Sequence, residues 1–139
     1  MAKVAFTKLG LKKDDSIKEL EWNGQKIEIK QFLSTEDKLN LISNIINYSA
    51  DNHVFYNPCK IEIFETIEII LKYTNINLTD KQSEDVLKLY DLFISSNFKE
   101  KIFELIPKQE LDYIHNGIYE AIKEIYRYRD SFMGVMEQT

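Results

Sequence analysis

A single cysteine, two prolines and four glycines leave this 139-residue chain with little of the material from which reactive loops are built. One cysteine, Cys59, excludes an intrachain disulfide and fits a reducing compartment. With so few glycines there is no Gly-rich phosphate loop and no Gly-x-Ser-x-Gly elbow, and no His-Glu-x-x-His pair is present. The histidines number two, His53 and His115, and they stand far apart in the chain. A zinc site needs thiolate and imidazole ligands at close spacing, so neither a metal nor a cofactor is expected. Cys59 reads as a small core filler, since no base is placed beside it. Basic residues fall short of acidic ones, 18 against 23, and a net charge of −5 disfavours a phosphate-neutralising surface. No apolar run approaches the ~20 residues that span a bilayer, and no signal-peptide core is visible. The expectation is a cytosolic, non-enzymatic chain that binds neither nucleic acid nor membrane.

What is present is ample core material: 44% hydrophobic residues, including 8 Tyr, 8 Phe and one Trp. The longest aliphatic concentration runs from Asn57 to Thr74. Asn57 suits an N-cap and Pro58 the first helical position, where its missing N–H costs nothing. Ile63, Phe64, Ile67, Ile70, Leu71 and Tyr73 cover about half the circumference of the resulting helix, with Glu65, Glu68 and Lys72 opposite. Such a helix must be surrounded by other elements.

The elements around it follow in order. Residues 1–15 read as a loosely held arm with an apolar patch at Val4 and Phe6. Residues 16–30 hold Asn23-Gly24, the preferred pair for a two-residue type I′ hairpin turn. Pairing outward sets Trp22 opposite Gln25, Leu20 opposite Ile27 and Lys18 opposite Ile29. One face is then apolar and the other charged. Ser34 and Asp37 open a helix to about Tyr48, with Leu39, Ile42 and Ile46 on one ridge and Leu41, Ile45 and Tyr48 on the next. Residues 49–56 read as a loop. Thr79 and Gln82 form a capping box for one helix reaching Ser95, with Val86, Leu87, Leu89, Tyr90, Phe93 and Ile94 on its apolar face. A short helix spans Phe98 to Leu105. The last helix starts at Lys108 with a stripe of Leu111, Ile114, Ile118, Ile122, Ile125, Phe132, Met133 and Met136. The predicted architecture is mainly α (α+β), a single domain over 1–139. It comprises the arm, the hairpin, and a body of four to five helices over 34–136.

Two surfaces stand out as candidate protein contacts: the Trp22 face of the hairpin, and the end of the last helix. There Arg129 interrupts the apolar stripe beside Tyr126, Phe132 and Met133, a mixture that interface cores favour. The run Tyr126-Arg127-Tyr128-Arg129 is not a nucleic-acid platform, because on a helix its side chains point in four directions.

Several stretches carry a resemblance: Glu-Trp-Asn-Gly-Gln in the hairpin, Phe-Tyr-Asn-Pro before the central helix, Tyr73-Thr74-Asn75-Ile76, and Tyr126-Arg127-Tyr128-Arg129-Asp130-Ser131. They resemble small proteins of tailed phages and prophages of low-GC Gram-positive bacteria, over about Ile17 to Met136. The build is similar to that of phage tail assembly chaperones. That resemblance implies an acidic helical protein of the host cytoplasm with no catalytic residues. It also implies binding to a tape-measure or tail-tube protein. The alternative is a phage-encoded inhibitor of a host protein; self-association through the C-terminal helix is a further expected contact.

Overall fold

A computed structural model describes residues 1–51 and 55–137; the side chains of Asp51, Phe55, residues 132–135 and Glu137 lie outside the description. The hairpin forms as its turn chemistry dictates. Strands β1 (Ile17–Trp22) and β2 (Gln25–Lys30) pair antiparallel with Trp22 opposite Gln25, Leu20 opposite Ile27 and Lys18 opposite Ile29. Asn23 and Gly24 take φ of 50° and 75°, the left-handed region that a type I′ turn needs at both central positions. Ile27 and Ile29 are buried, and Leu20 and Trp22 pack against the same core.

The body has six helices among the described residues, so the architecture is mainly α with an N-terminal hairpin. Helix α1 (Thr35–Ser49) is capped by Ser34, whose side chain accepts from Asp37 N. Its buried face is Lys38, Leu41, Ile42, Ile45, Ile46 and Ser49. The expected ridges therefore shift: Leu39 and Tyr48 are exposed, and Lys38 takes a place in the interior. The expected loop contains two short strands, β3 (Ala50–Asp51) and β4 (Phe55–Tyr56), paired antiparallel. Helix α2 (Pro58–Tyr73) begins as expected, with the Asn57 side chain accepting from Cys59 N at 2.9 Å. Ile61, Thr66, Ile69 and Tyr73 are buried along with Ile67 and Ile70, so α2 is enclosed on most sides.

The expected single helix from Thr79 breaks at Asp85 (φ −99°, ψ 72°). Helix α3 (Asp80–Glu84) carries the capping box, and α4 (Val86–Ser95) starts afresh with the Asp85 side chain accepting from Lys88 N. Asp85 is a second N-cap, and it interrupts an apolar periodicity that otherwise runs through. Helix α5 (Phe98–Glu104) follows, and α6 (Lys108–Glu137) completes the body. At 30 residues α6 is about 45 Å long. Ile114, Ile118 and Ile122 are buried, whereas Tyr128 and Met136 are exposed, so its far end runs beyond the core. Helix α1 packs on α2 and α6, while α4 and α5 pack on each other and on α2.

Four attachments hold the hairpin to this body. Ile29 bridges Thr74, and the Glu28 amide donates to Asn75 Oδ1 at 3.0 Å. Gln31 Nε2 donates to the Leu105 carbonyl at 2.8 Å. The Trp22 ring meets Phe98 edge-on at 5.1 Å.

The centre of the assembly is Glu110, a 6% exposed carboxylate in the first turn of α6, an end of a helix that favours negative charge. Oε1 accepts from Leu33 N at 2.8 Å and from Tyr73 Oη at 3.1 Å. Oε2 is 2.6 Å from Lys38 Nζ. The ammonium is flanked by the Phe32 and Tyr113 rings, with centroids at 4.4 and 5.0 Å. Burial, then the adjoining Glu110 charge, drives the Tyr73 hydroxyl far above its ordinary value of 10.0. No buried side-chain N or O among the described residues lacks a partner.

Two outcomes are expected. Gly24→Val places a β-branched residue at positive φ although the space around it is open; the strain lowers stability by roughly 1–3 kcal/mol, measured by chemical denaturation. Glu110→Gln leaves Lys38 buried without a counter-charge and costs about 3–5 kcal/mol. Adding Lys38→Met to Glu110→Gln recovers most of that loss, because Gln still accepts from Leu33 and Tyr73. Equal stability of the single and double variants would show that the charge pair is not the source of the loss.

Candidate functional site

The residues singled out in the sequence fall into different settings. Trp22 is half-buried against Phe98 of α5, where the hairpin attaches to the body. Tyr126 is also half-buried: its hydroxyl accepts from Tyr56 N at 3.0 Å, and its ring meets Tyr56 edge-on at 5.9 Å. The Arg129 guanidinium lies over the Tyr126 ring, 5.7 Å from the centroid. Tyr126 and Arg129 thus form one unit where α6 passes β4. The side chains of Phe132 and Met133 lie outside the described residues, as does His53.

One open cleft gathers reactive side chain types. Its volume is about 440 Å³, and Cys59, Glu62, Glu65, Lys99, His115 and Tyr119 line it. Cys59 is exposed here, not packed in the core, because the first turn of α2 opens outward. His115 Nδ1 is 3.1 Å from Glu65 Oε1, and its ring lies 4.7 Å from that of Tyr119. The Tyr90 hydroxyl is pushed up by burial and by neighbouring Glu62. A carboxylate beside imidazole is the orienting half of a general-base arrangement. Among the described residues no hydrogen bond joins the Cys59 thiol to His115 or Glu65. No group of three His, Cys, Asp or Glu among those residues is arranged to hold a metal ion.

The more pronounced feature is apolar surface. Helix α4 is VLKLYDLFIS, seven of ten residues apolar, yet only Phe93 is buried. Leu87 is 65% and Leu92 56% exposed, with Ile94 also outside. Sequence periodicity marks an apolar face but does not say whether another part of the same chain covers it. The N-terminal arm is a second such surface: Val4, Phe6, Leu9 and Leu11 are all exposed, Phe6 by 73%, and the single 3₁₀ turn Phe6–Leu9 buries nothing. Between α1, α2, α3 and α4 runs a groove of about 520 Å³ lined by Tyr48, Phe64, Ile67, Leu71, Leu78, Val86 and Leu89. Glu68 is the acid in it. Desolvation holds its carboxyl above the ordinary 4.5, with Lys72 one turn on acting in the opposite sense. No helix among the described residues is long and apolar enough to cross a membrane.

Neither a protein-family model, a curated protein nor a solved structure matches the chain.

The Glu68 setting has a consequence for stability. A folded-state value above the unfolded one means that the folded chain holds this proton more tightly. The associated stability is full below about pH 4.5 and is lost as pH rises through the raised value. Glu68→Gln should therefore lose less stability than the parent across that window, and be at least as stable at neutral pH. Thermal melts against pH check this; parallel curves for the two proteins would contradict it.

Proposed function

We propose that the chain is a non-enzymatic protein-binding module, and specifically a phage tail assembly chaperone or tail accessory protein acting in the host cytoplasm. The observation that carries the binding reading is α4, a strongly apolar helix whose Leu87, Leu92 and Ile94 side chains stay exposed. Leu87 and Ile94 share one side of α4 and Leu92 lies about 140° round from Leu87; apolar side chains left exposed on two sides of one short helix support a partner-binding use. The tail reading rests on the phage-like residues of the hairpin and the α2 start quoted above, with a tape-measure or tail-tube protein as the occupant.

The test is capture from an induced lysogen with tagged chain, followed by mass spectrometry. The expected result is enrichment of a tail-tube or tape-measure protein, lost in a Leu87→Glu/Leu92→Glu variant whose melting temperature matches the parent. Both substitutions fall at exposed positions, so loss of capture reports on the surface. Enrichment of a host protein instead would favour an inhibitor, and capture untouched by the α4 variant would remove α4 from the account.

A further inference from the structure

The hairpin has one covered edge and one open edge. Bonded and non-bonded pairs alternate along an antiparallel ladder. Gln31 N donates to Ser16 O at 3.1 Å, so bonding falls on Lys18–Ile29, Leu20–Ile27 and Trp22–Gln25, and the pairs between them turn their backbone groups outward. On the β2 side this phase is visible directly. The Glu28 amide points away from β1 and donates to Asn75 Oδ1, beside the Ile29–Thr74 bridge. Glu28 pairs with Glu19. The N–H and C=O groups of Ile17, Glu19 and Glu21 therefore face out from β1, and among the described residues no strand and no backbone hydrogen bond meets them. Such a row is a template for an added strand.

The side chains along the edge define what it takes. On the inner face Leu20 and Trp22 are only half-buried, whereas Ile27 and Ile29 of β2 are buried. An apolar residue on an added strand continues that face. On the outer face Glu19 stands opposite Glu28, a like-charge pair that disfavours the two-stranded sheet, and Glu21 lies two residues along. A basic residue on the open side of Glu19 relieves the repulsion. A second copy brings the wrong charge. Across a two-fold axis its β1 lies antiparallel, and the in-phase registers set Glu19 against Glu19, Glu19 against Glu21, or Glu21 against Asp15. The arm is also a poor match, from whichever copy it comes. Its lysines stand at positions 3, 8, 12 and 13, nowhere two apart, so no strand formed by it meets Glu19 and Glu21 with a lysine each. In this structure it forms a 3₁₀ turn and is not paired with β1.

We propose that the open edge of β1 accepts an extended peptide segment of another protein as a third, antiparallel strand. Two basic side chains of that segment, two residues apart, face Glu19 and Glu21, and the apolar residue between them lies beside Leu20. Main-chain bonds to Ile17, Glu19 and Glu21 hold the strand, and the charge pattern selects it. The contact lies on the hairpin and does not rest on the α4 reading.

Amide hydrogen exchange on the full chain, read by NMR, tests it with a capped peptide Thr-Lys-Val-Lys-Val-Thr and a control in which both lysines are glutamate. In the free chain the amides of Glu19 and Glu21 should exchange quickly while those of Leu20 and Trp22 are protected. The lysine peptide should slow Glu19 and Glu21 by about tenfold or more, and the glutamate peptide should not. Glu19→Pro removes one outward amide and no bond to β2, a place where an edge strand tolerates proline; it should lose the peptide and keep its thermal melt. Glu19→Lys, which turns the Glu28 pair into an attractive one, should also lose it. Glu19 and Glu21 amides already protected in the free chain would overturn the proposal, because the arm or a second copy would then hold the edge. No slowing by the lysine peptide would overturn it as well, as would equal slowing by both peptides. Binding by Glu19→Pro or Glu19→Lys equal to that of the parent would remove the β1 edge from the contact.

Discussion

The buried carboxylate of Glu110 joins four separate pieces of chain, and the rest of the fold depends on that junction. The pieces are the amide after the hairpin at Leu33, the ammonium of α1 at Lys38, the hydroxyl at the end of α2 at Tyr73, and α6, on which Glu110 sits. Taking a carboxylate and an ammonium out of water costs several kcal/mol per ion. The cost is met only because the carboxylate has three donors and the ammonium has two aromatic faces beside it. Geometry of that kind tolerates little displacement. It fixes where the hairpin rests, and so where the arm departs and which side chains remain outside.

That constraint explains the uneven surface. The interior near Glu110 is closed, with Ile29, Leu41, Ile45, Ile70 and Ile114 all buried. Away from that centre, α4, the arm and the end of α6 keep apolar side chains exposed. They do not relax onto one another because their roots are held apart: α4 begins afresh at Asp85, the arm is tied at Ser16, and α6 is committed to α1. A rigid centre carrying apolar outworks supports the proposed reading of a protein-binding module.

Local chemistry is legible in the sequence, and long-range pairing is not. The Asn23-Gly24 turn sets the hairpin register residue for residue, and Asn57-Pro58 and Thr79-Gln82 mark helix starts, because each signal acts within a few residues. Lys38 and Glu110 escape such a reading, being 72 residues apart and of types that normally stay in solvent. A signal does exist. Lys38 is in helical register with Leu41, Ile42 and Ile45, and Glu110 with Ile114 and Ile118, so opposite charges occupy two apolar stripes. The Asp85 break is hidden by continuous apolar periodicity, although an aspartate three residues before Lys88 is itself a cap signal. The exposure of Leu87 and Leu92 is beyond reach, since it depends on what the rest of the chain leaves uncovered. The candidate contacts Trp22 and Tyr126 are engaged in intramolecular packing, with Phe98 and Tyr56 respectively.

Hydrogen exchange at the Leu33 amide is the most direct measurement of whether Glu110 holds the molecule together. Leu33 lies in the connection between β2 and α1, outside any regular element, where an amide without a strong buried acceptor exchanges rapidly. If the carboxylate closes the fold, this amide exchanges only on global unfolding, as slowly as the amides of Ile114 and Ile118 in α6. Exchange at the rate of exposed loop amides, with α6 still protected, would contradict the account.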